Sequence, residues 1–129
     1  MITTEVLQET VHAGLAGGYP DAMEIKTRID AGRIEVRVAE RLPTPFEEVL
    51  DLYGLQTGDK AVLRLSLQAV DVDATVTDDR LLCVVLHRCR REVLFLPDFV
   101  ERAVTDGALE ASAAHRKYRA SLARGKPLF

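Results

Sequence analysis

Several motifs that identify enzyme classes are missing from this sequence. It contains no glycine-rich phosphate loop, no GxSxG, no HExxH and no CxxC, so the corresponding enzyme classes lose their usual sequence support. Cysteine is also scarce, because only Cys83 and Cys89 are present. They lie six residues apart on one predicted helix, where a right-handed turn separates them too widely for a disulfide. We therefore expect both thiols to be reduced.

Long apolar runs are missing as well. The longest uninterrupted run is Leu81 to Leu86, far short of the roughly 20 residues that a membrane-spanning helix needs. No charged-then-apolar leader precedes it. These features predict a cytoplasmic protein without a membrane partner.

The composition is that of a folded domain. The 129 residues are 47% hydrophobic and 29% charged, with 5 Pro and 8 Gly, which favours a soluble domain with a core over a disordered chain. No stretch reads as a linker. We predict one domain over residues 1–107, with residues 108–129 forming a C-terminal helix and basic tail packed on it.

The central pattern is a strand, a pair of acids, a helix and a second strand. Ala74 to Thr77 reads as a strand buried on both faces, and Asp78 and Asp79 fall at its C-terminal end. A helix begins near Arg80, and Val93 to Leu96 forms the next strand. This is a βαβ unit, whose strand ends are where open α/β sheets place their sites.

The flanking segments are mostly helical. Helices are predicted over Thr4 to Ala16, from Asp21 with Glu24 completing a capping box, and after a capping Thr57. The strict alternation of Arg33 to Val38 predicts a further strand. Strands separated by helices indicate a parallel sheet in a layered α/β domain.

Four acids are candidates for a metal site. Glu9 lies on the first helix, and Asp59, Asp78 and Asp79 bracket the central strand. Clustered carboxylates suit hard divalent cations such as Mg²⁺ or Mn²⁺, which leave part of their coordination shell to water and substrate phosphate. On spacing alone, helix caps and solvated loops account for these acids equally well.

The positive charge of this mildly acidic chain, net charge −3, is concentrated at its end. No acid follows Glu110, and the segment beyond it is rich in basic residues. A phosphate-contacting arm is one interpretation, and a solvated helix face is the other and more common one. The candidate nucleic-acid-binding residues are Arg116, Lys117, Arg119, Arg124 and Lys126.

Five segments in order carry a family resemblance: EVLQETVHAGLAGGYPDA, IEVRV, GDKAVLRLSLQ, DATVTDDRL and VLFLP. From Ile2 to about Gly107 the chain resembles the PIN domain, in the branch of toxin-type ribonucleases and their uncharacterised relatives. The resemblance implies a three-layer α/β/α fold and cleavage of RNA with Mg²⁺ or Mn²⁺ held by acids. It makes Glu9, Asp78 and Asp79 catalytic and metal-binding.

The sequence departs from the PIN pattern in two places. A PIN chain opens with a strand that ends in Asp, whereas Met1 falls roughly where the second strand should be, so the expected fold is N-terminally truncated. The usual acid of the GDKAV segment corresponds most closely to Ala61, and Asp59 stands in for it. The gap left by the missing strand would expose the edge of residues 74–77 and predicts a homo-oligomer.

Two functions follow from this resemblance. One is a metal-dependent ribonuclease, such as the toxin of a toxin–antitoxin pair with an antitoxin-like protein partner. The alternative is a truncated or degenerate PIN-like domain that does not cleave and acts through self-association, a partner protein or RNA. A receiver-like or nucleotide-binding module also uses strand-end acids, but its lysine-bearing strand end and glycine loop are not found.

Overall fold

The structure is a computed structural model that describes residues 1–112. The chain divides into two units, the first over Met1–Val70 and the second from Asp71 onward. The predicted domain of residues 1–107 spans both units. The predicted C-terminal helix and basic tail of residues 108–129 lie mostly outside the described residues, and all five candidate nucleic-acid-binding residues lie outside them.

The first unit opens with a two-residue strand and a helical run. The Thr3 hydroxyl accepts a hydrogen bond from the Val6 N–H at 3.2 Å, which caps the helix from within the strand. The run contains a π-helical turn that the periodicity does not reveal, although helix over Thr4 to Ala16 is confirmed. Its parts are β1 (Ile2–Thr3), α1 (Thr4–Leu7), the π turn (Gln8–His12) and α2 (Ala13–Ala16).

The next helix, α3 (Pro20–Asp30), begins one residue earlier than predicted. Proline is well suited to the first helical position, because its fixed φ matches the helix and its missing N–H is not needed there. Tyr19 is therefore the N-cap residue and makes no side-chain cap, so the predicted capping box of Asp21 and Glu24 is wrong. Glu24 instead forms an ion pair with Arg28 at 3.0 Å.

The second strand is much shorter than predicted. Only β2 (Val36–Arg37) is regular strand, and it pairs in parallel with β1, Ile2 opposite Val36. Because β1 is itself two residues long, the rest of the alternating segment has no strand beside it in the described chain. Val38, predicted to lie on the apolar face, is 75% exposed.

Two helices complete the first unit: α4 (Thr44–Leu52) and α5 (Thr57–Gln68). Thr57 is the first helical residue of α5 and Gln56 is its N-cap, so the predicted Thr57 cap is wrong. Asp59 lies in the first turn of α5. The apolar residues buried in this unit are Val11, Ala22, Leu50, Leu55, Ala61 and Leu63.

The second unit contains the predicted βαβ arrangement. Its elements are β3 (Thr75–Thr77), α6 (Arg80–Arg88), β4 (Val93–Phe95) and α7 (Leu96–Thr105). β3 and β4 are parallel, with Val76 opposite Leu94. The prediction that β3 is buried on both faces is wrong, because Val76 is 42% exposed. Within residues 1–112, β3 has one strand neighbour, which leaves it at a sheet edge.

The described chain is therefore mixed α/β with parallel strand pairing, as predicted. The prediction of a single small sheet is wrong for the described residues, because their four strands form two sheets of two strands each. One sheet belongs to each unit, β1–β2 to the first and β3–β4 to the second. Within residues 1–112, no helix has the length and apolar character needed to cross a membrane.

Candidate functional site

The Glu9 carboxylate lies against the first turn of α5. Glu9 sits in the π turn and is exposed, whereas Gly58, the second residue of α5, is buried. A Cβ atom at Gly58 would lie 2.5 Å from Glu9 Oε1 and 3.0 Å from its Cδ. Glycine at position 58 is thus what allows the carboxylate to approach the helix so closely.

This contact brings two of the predicted metal ligands into one neighbourhood of the first unit. Asp59 follows Gly58 directly and is half-buried. Carboxylates at a helix N-terminus are stabilised by the positive end of the helix dipole and by the unpaired N–H groups of the first turn. Lys60 also lies in this turn, but its ammonium group pairs with Asp51 at 2.8 Å.

The two acids after β3 have different roles. Asp79 is the N-cap of α6, and its Oδ1 accepts a hydrogen bond from the Leu82 N–H at 2.8 Å. Its own N–H donates to Thr77 Oγ1 at 3.1 Å, which holds the turn between strand and helix. Asp78 is exposed at the carboxyl end of β3. One oxygen of Asp79 therefore has a structural role in the second unit.

Carboxylate oxygens are the donors that Mg²⁺ and Mn²⁺ prefer, so the chemistry of the predicted set fits these ions. Within residues 1–112, no three side chains of His, Cys, Asp or Glu are grouped so that they could hold an ion. A Mg²⁺ ion is commonly held by one or two carboxylates, with water and phosphate oxygens completing its shell. The candidate pairs are Glu9 with Asp59, which both lie near the start of α5, and Asp78 with Asp79, which are adjacent in the sequence.

A buried ion pair in the first unit was not predicted from the sequence. Glu47 on α4 is buried, and its Oε1 and Oε2 accept hydrogen bonds from Arg64 Nε and Nη2 on α5 at 2.8 and 2.7 Å. The Leu42 N–H donates a third bond at 2.7 Å. The hydrogen bonds from Arg64 lower the pKa of Glu47 to about 2, against the opposing effect of burial. In the sequence, Arg64 is visible only as a charged residue three positions after Ala61. That position does not identify Glu47 as its partner.

Glu5 adds a second carboxylate near this ion pair. Its Oε2 atom is buried and makes no hydrogen bond within the described chain. The pKa of Arg64 is raised, first by its hydrogen bonds to Glu47 and also by the charge of Glu5. The guanidinium group thus compensates part of the cost of burying Glu5 in this charge cluster of the first unit.

The two cysteines form no disulfide in the structure. Cys83 and Cys89 are both free thiols and half-buried. Burial, followed by the charges of Asp98 and Asp79, raises the pKa of Cys83. A raised thiol pKa disfavours the thiolate, so Cys83 has the character of a packing residue and not of a nucleophile.

No family model matches this chain, and no curated protein and no solved structure matches it either. The PIN resemblance therefore depends on the five sequence segments and stays a prediction. The function is therefore inferred from the residues of this chain and their contacts.

Proposed function

We propose that this protein is a PIN-like ribonuclease that hydrolyses phosphodiester bonds with Mg²⁺ or Mn²⁺. The observation that supports this most is the Glu9 carboxylate against Gly58, beside Asp59. The resemblance selects Glu9 and Asp59 as ligands, and their segments lie far apart in the sequence. Gly58 is buried, and its lack of a side chain leaves space for the Glu9 carboxylate. Packing of the two helices alone does not require a carboxylate in that space.

In this proposal the residues that would hold Mg²⁺ or Mn²⁺ are Glu9 with Asp59 in the first unit, and Asp78 with Asp79 in the second. When bound, Mg²⁺ or Mn²⁺ supplies activated water and stabilises the charge that develops on the phosphodiester. The Asp79 cap fixes the backbone that presents Asp78. RNA is the proposed substrate, and an antitoxin-like protein is the proposed partner.

The experiment uses Gly58→Ala, which moves a charge without removing it. The added methyl group displaces the Glu9 carboxylate, while alanine favours the helix intrinsically by up to about 1 kcal/mol. We expect unchanged or slightly higher thermal stability, but weaker Mn²⁺ binding by calorimetry and slower cleavage of labelled RNA.

A double variant makes this test specific. Glu9→Gln should weaken Mn²⁺ binding by itself, and adding Gly58→Ala to it should have little further effect, because both changes act on the same carboxylate. Glu48→Gln, an exposed acid on α4, is the matched control for a lost surface charge. Additive losses from Glu9→Gln and Gly58→Ala would contradict a shared role.

A second function is favoured by the Asp79 cap, which gives that acid a structural use. In this alternative the protein is a degenerate, non-catalytic PIN-like domain that acts through self-association, a protein partner or RNA. It predicts no Mn²⁺ heat and no cleavage by the wild type, with binding to its partner retained. In this alternative, replacing Glu9 and Asp59 together would leave binding to the partner unchanged.

A further inference from the structure

The edge of β3 that faces away from β4 has no strand beside it among residues 1–112. The Thr75 N–H donates to the Glu92 carbonyl at 3.0 Å, so Thr75 faces β4. Backbone groups alternate in direction along a strand, which turns the N–H and C=O of Val76 toward the opposite edge. No described strand pairs with that edge, and the Val76 side chain is 42% exposed.

Such an edge is a template for another strand. Parallel strands are normally covered, and a two-stranded sheet is marginal unless further strands or helices pack on it. An extended segment added at Val76 would satisfy the outward backbone groups and cover an apolar side chain. The question is which kind of segment fits.

Charge at the two ends of the edge selects the occupant. Asp73 precedes β3 and Asp78 follows it, and both are exposed. At about 3.3 Å per residue, an extended segment from Asp73 to Asp78 spans at most roughly 17 Å. An acid therefore marks each end of the short pairing surface, with neutral residues between them.

A second copy of the chain fits this pattern badly. Antiparallel pairing about a two-fold axis would place Val76 opposite Val76 of the other copy, because both residues turn their backbone groups outward. In that register, Asp73 of each copy lies opposite Asp79 of the other, so like charges meet at both ends. Directly opposed like charges destabilise strand pairing.

We propose that the β3 edge binds an extended segment of a partner protein in which a β-branched core is flanked on both sides by Lys or Arg. The core pairs with the Val76 backbone, and the basic residues meet Asp73 at one end and Asp78 or Asp79 at the other. Asp78 and Asp79 are also proposed metal ligands, so peptide binding is measured without added Mg²⁺ or Mn²⁺.

The probe is a fluorescent peptide, KRVTVTVRK, whose binding to the full chain is followed by anisotropy. The peptide EEVTVTVEE tests charge, and KRVTVTVRK with N-methylated valines tests backbone pairing. We expect the basic peptide to bind at least about tenfold more tightly than either of the others. If the N-methylated peptide bound as tightly as the unmodified basic peptide, the interaction would be nonspecific charge attraction. That result would overturn the proposal.

A charge-reversed protein provides the reciprocal test. Asp73→Lys combined with Asp78→Lys should invert the preference, so that EEVTVTVEE binds more tightly than KRVTVTVRK. Circular dichroism establishes that the variant is folded. An unchanged preference for the basic peptide, or no binding of either peptide by either protein, would overturn the proposal. A wild-type dimer in light scattering that becomes more stable in Asp73→Lys would also overturn the proposal. That result would place a second copy at the edge.

Discussion

Arg64 binds the Glu47 carboxylate through two parallel hydrogen bonds, 2.8 Å from Nε and 2.7 Å from Nη2. The pair links α5 to α4, and the Leu42 N–H adds a bond from the loop before α4. The Arg64 and Glu47 side chains are 17% and 6% exposed, so solvent screens the pair little. Three segments of the first unit are thus joined at one carboxylate.

Replacing this carboxylate should destabilise the protein strongly. Glu47→Gln leaves the Arg64 guanidinium partly buried without its counter-charge, and breaking a buried pair in this way costs about 3 kcal/mol. Urea unfolding measures the loss of unfolding free energy. Glu48→Gln on the same helix removes an exposed carboxylate and should change stability by less than about 0.5 kcal/mol. Equal effects of the two substitutions would contradict the structural role of the pair.

The same pair predicts a specific dependence of stability on pH. The pKa of Glu47 falls from 4.5 to about 2 on folding, so the unfolded state binds more protons than the folded state between these values. The stabilisation is complete above 4.5 and is lost as the pH falls toward about 2. Wild type should therefore lose stability relative to Glu47→Gln over this interval. Parallel pH curves for the two proteins would show that Glu47 is not responsible.

A tight helix contact predicts a second stability effect. A Cβ atom at Gly14 would lie 2.6 Å from Ala22 Cβ, and Ala22 cannot rotate away because its Cβ is attached directly to the backbone. Gly14→Ala must therefore separate α2 from α3, which we expect to cost about 1–3 kcal/mol despite the better helix propensity of alanine. Thermal unfolding measures this cost.

A compensating change tests the mechanism of that loss. Ala22→Gly removes the opposing methyl group, and combining it with Gly14→Ala should restore part of the packing. The double variant should thus be more stable than the sum of the two single effects predicts. Strict additivity would mean that the two positions do not contact each other.

Local chemistry explains which parts of this structure the sequence predicted. The βαβ unit was predictable because an apolar strand, a capping Asp79 and an amphipathic helix follow one another within a few residues. The Glu47–Arg64 pair was not, since hydrogen bonding between two helices leaves no periodic trace. The predicted Thr57 cap was wrong because Gln56 and Thr57 are both compatible with a helix start. The backbone geometry makes Gln56 the N-cap residue.

The rest of the candidate site depends on contacts between residues that are far apart in the sequence. The sequence indicated Glu9 and Asp59 as two of four candidate acids, to which the family resemblance gave a role, and Gly58 had no recognised role. Its significance comes from the carboxylate that approaches it, which is a relationship between two elements far apart in the chain. The length of β2 was overestimated for the same reason, because pairing with a two-residue partner limits a strand whatever its alternation.

Asp79 should affect stability through its cap and metal binding through its charge. Asp79→Ala removes the acceptor for the Leu82 N–H and should cost about 1 kcal/mol, whereas Asp79→Asn keeps an acceptor and should cost much less. Asp78→Ala removes an exposed acid and is the control for stability. Thermal unfolding and Mn²⁺ calorimetry separate the two effects. If Asp79→Asn bound Mn²⁺ with the same heat as wild type, Asp79 would have its cap role alone.

The basic segment beyond the described residues predicts how RNA binding responds to salt. Each phosphate that a Lys or Arg neutralises releases counterions, so a single-stranded RNA bound through five such residues should show a log–log salt slope of roughly −3.5 from them. Truncation after Ser112 removes Arg116, Lys117, Arg119, Arg124 and Lys126, and should weaken binding and reduce the slope by up to that amount.

A full-length control distinguishes charge from chain length in this test. Replacing the same basic residues with Gln keeps the segment and should reproduce the effect of truncation, because the counterion term depends on charge. The salt slope is more informative than the affinity at one salt concentration. A loss of nonionic contacts weakens binding but does not change the slope. Unchanged affinity and slope in both variants would mean that the segment is a solvated face, and RNA would then have to contact residues within 1–112.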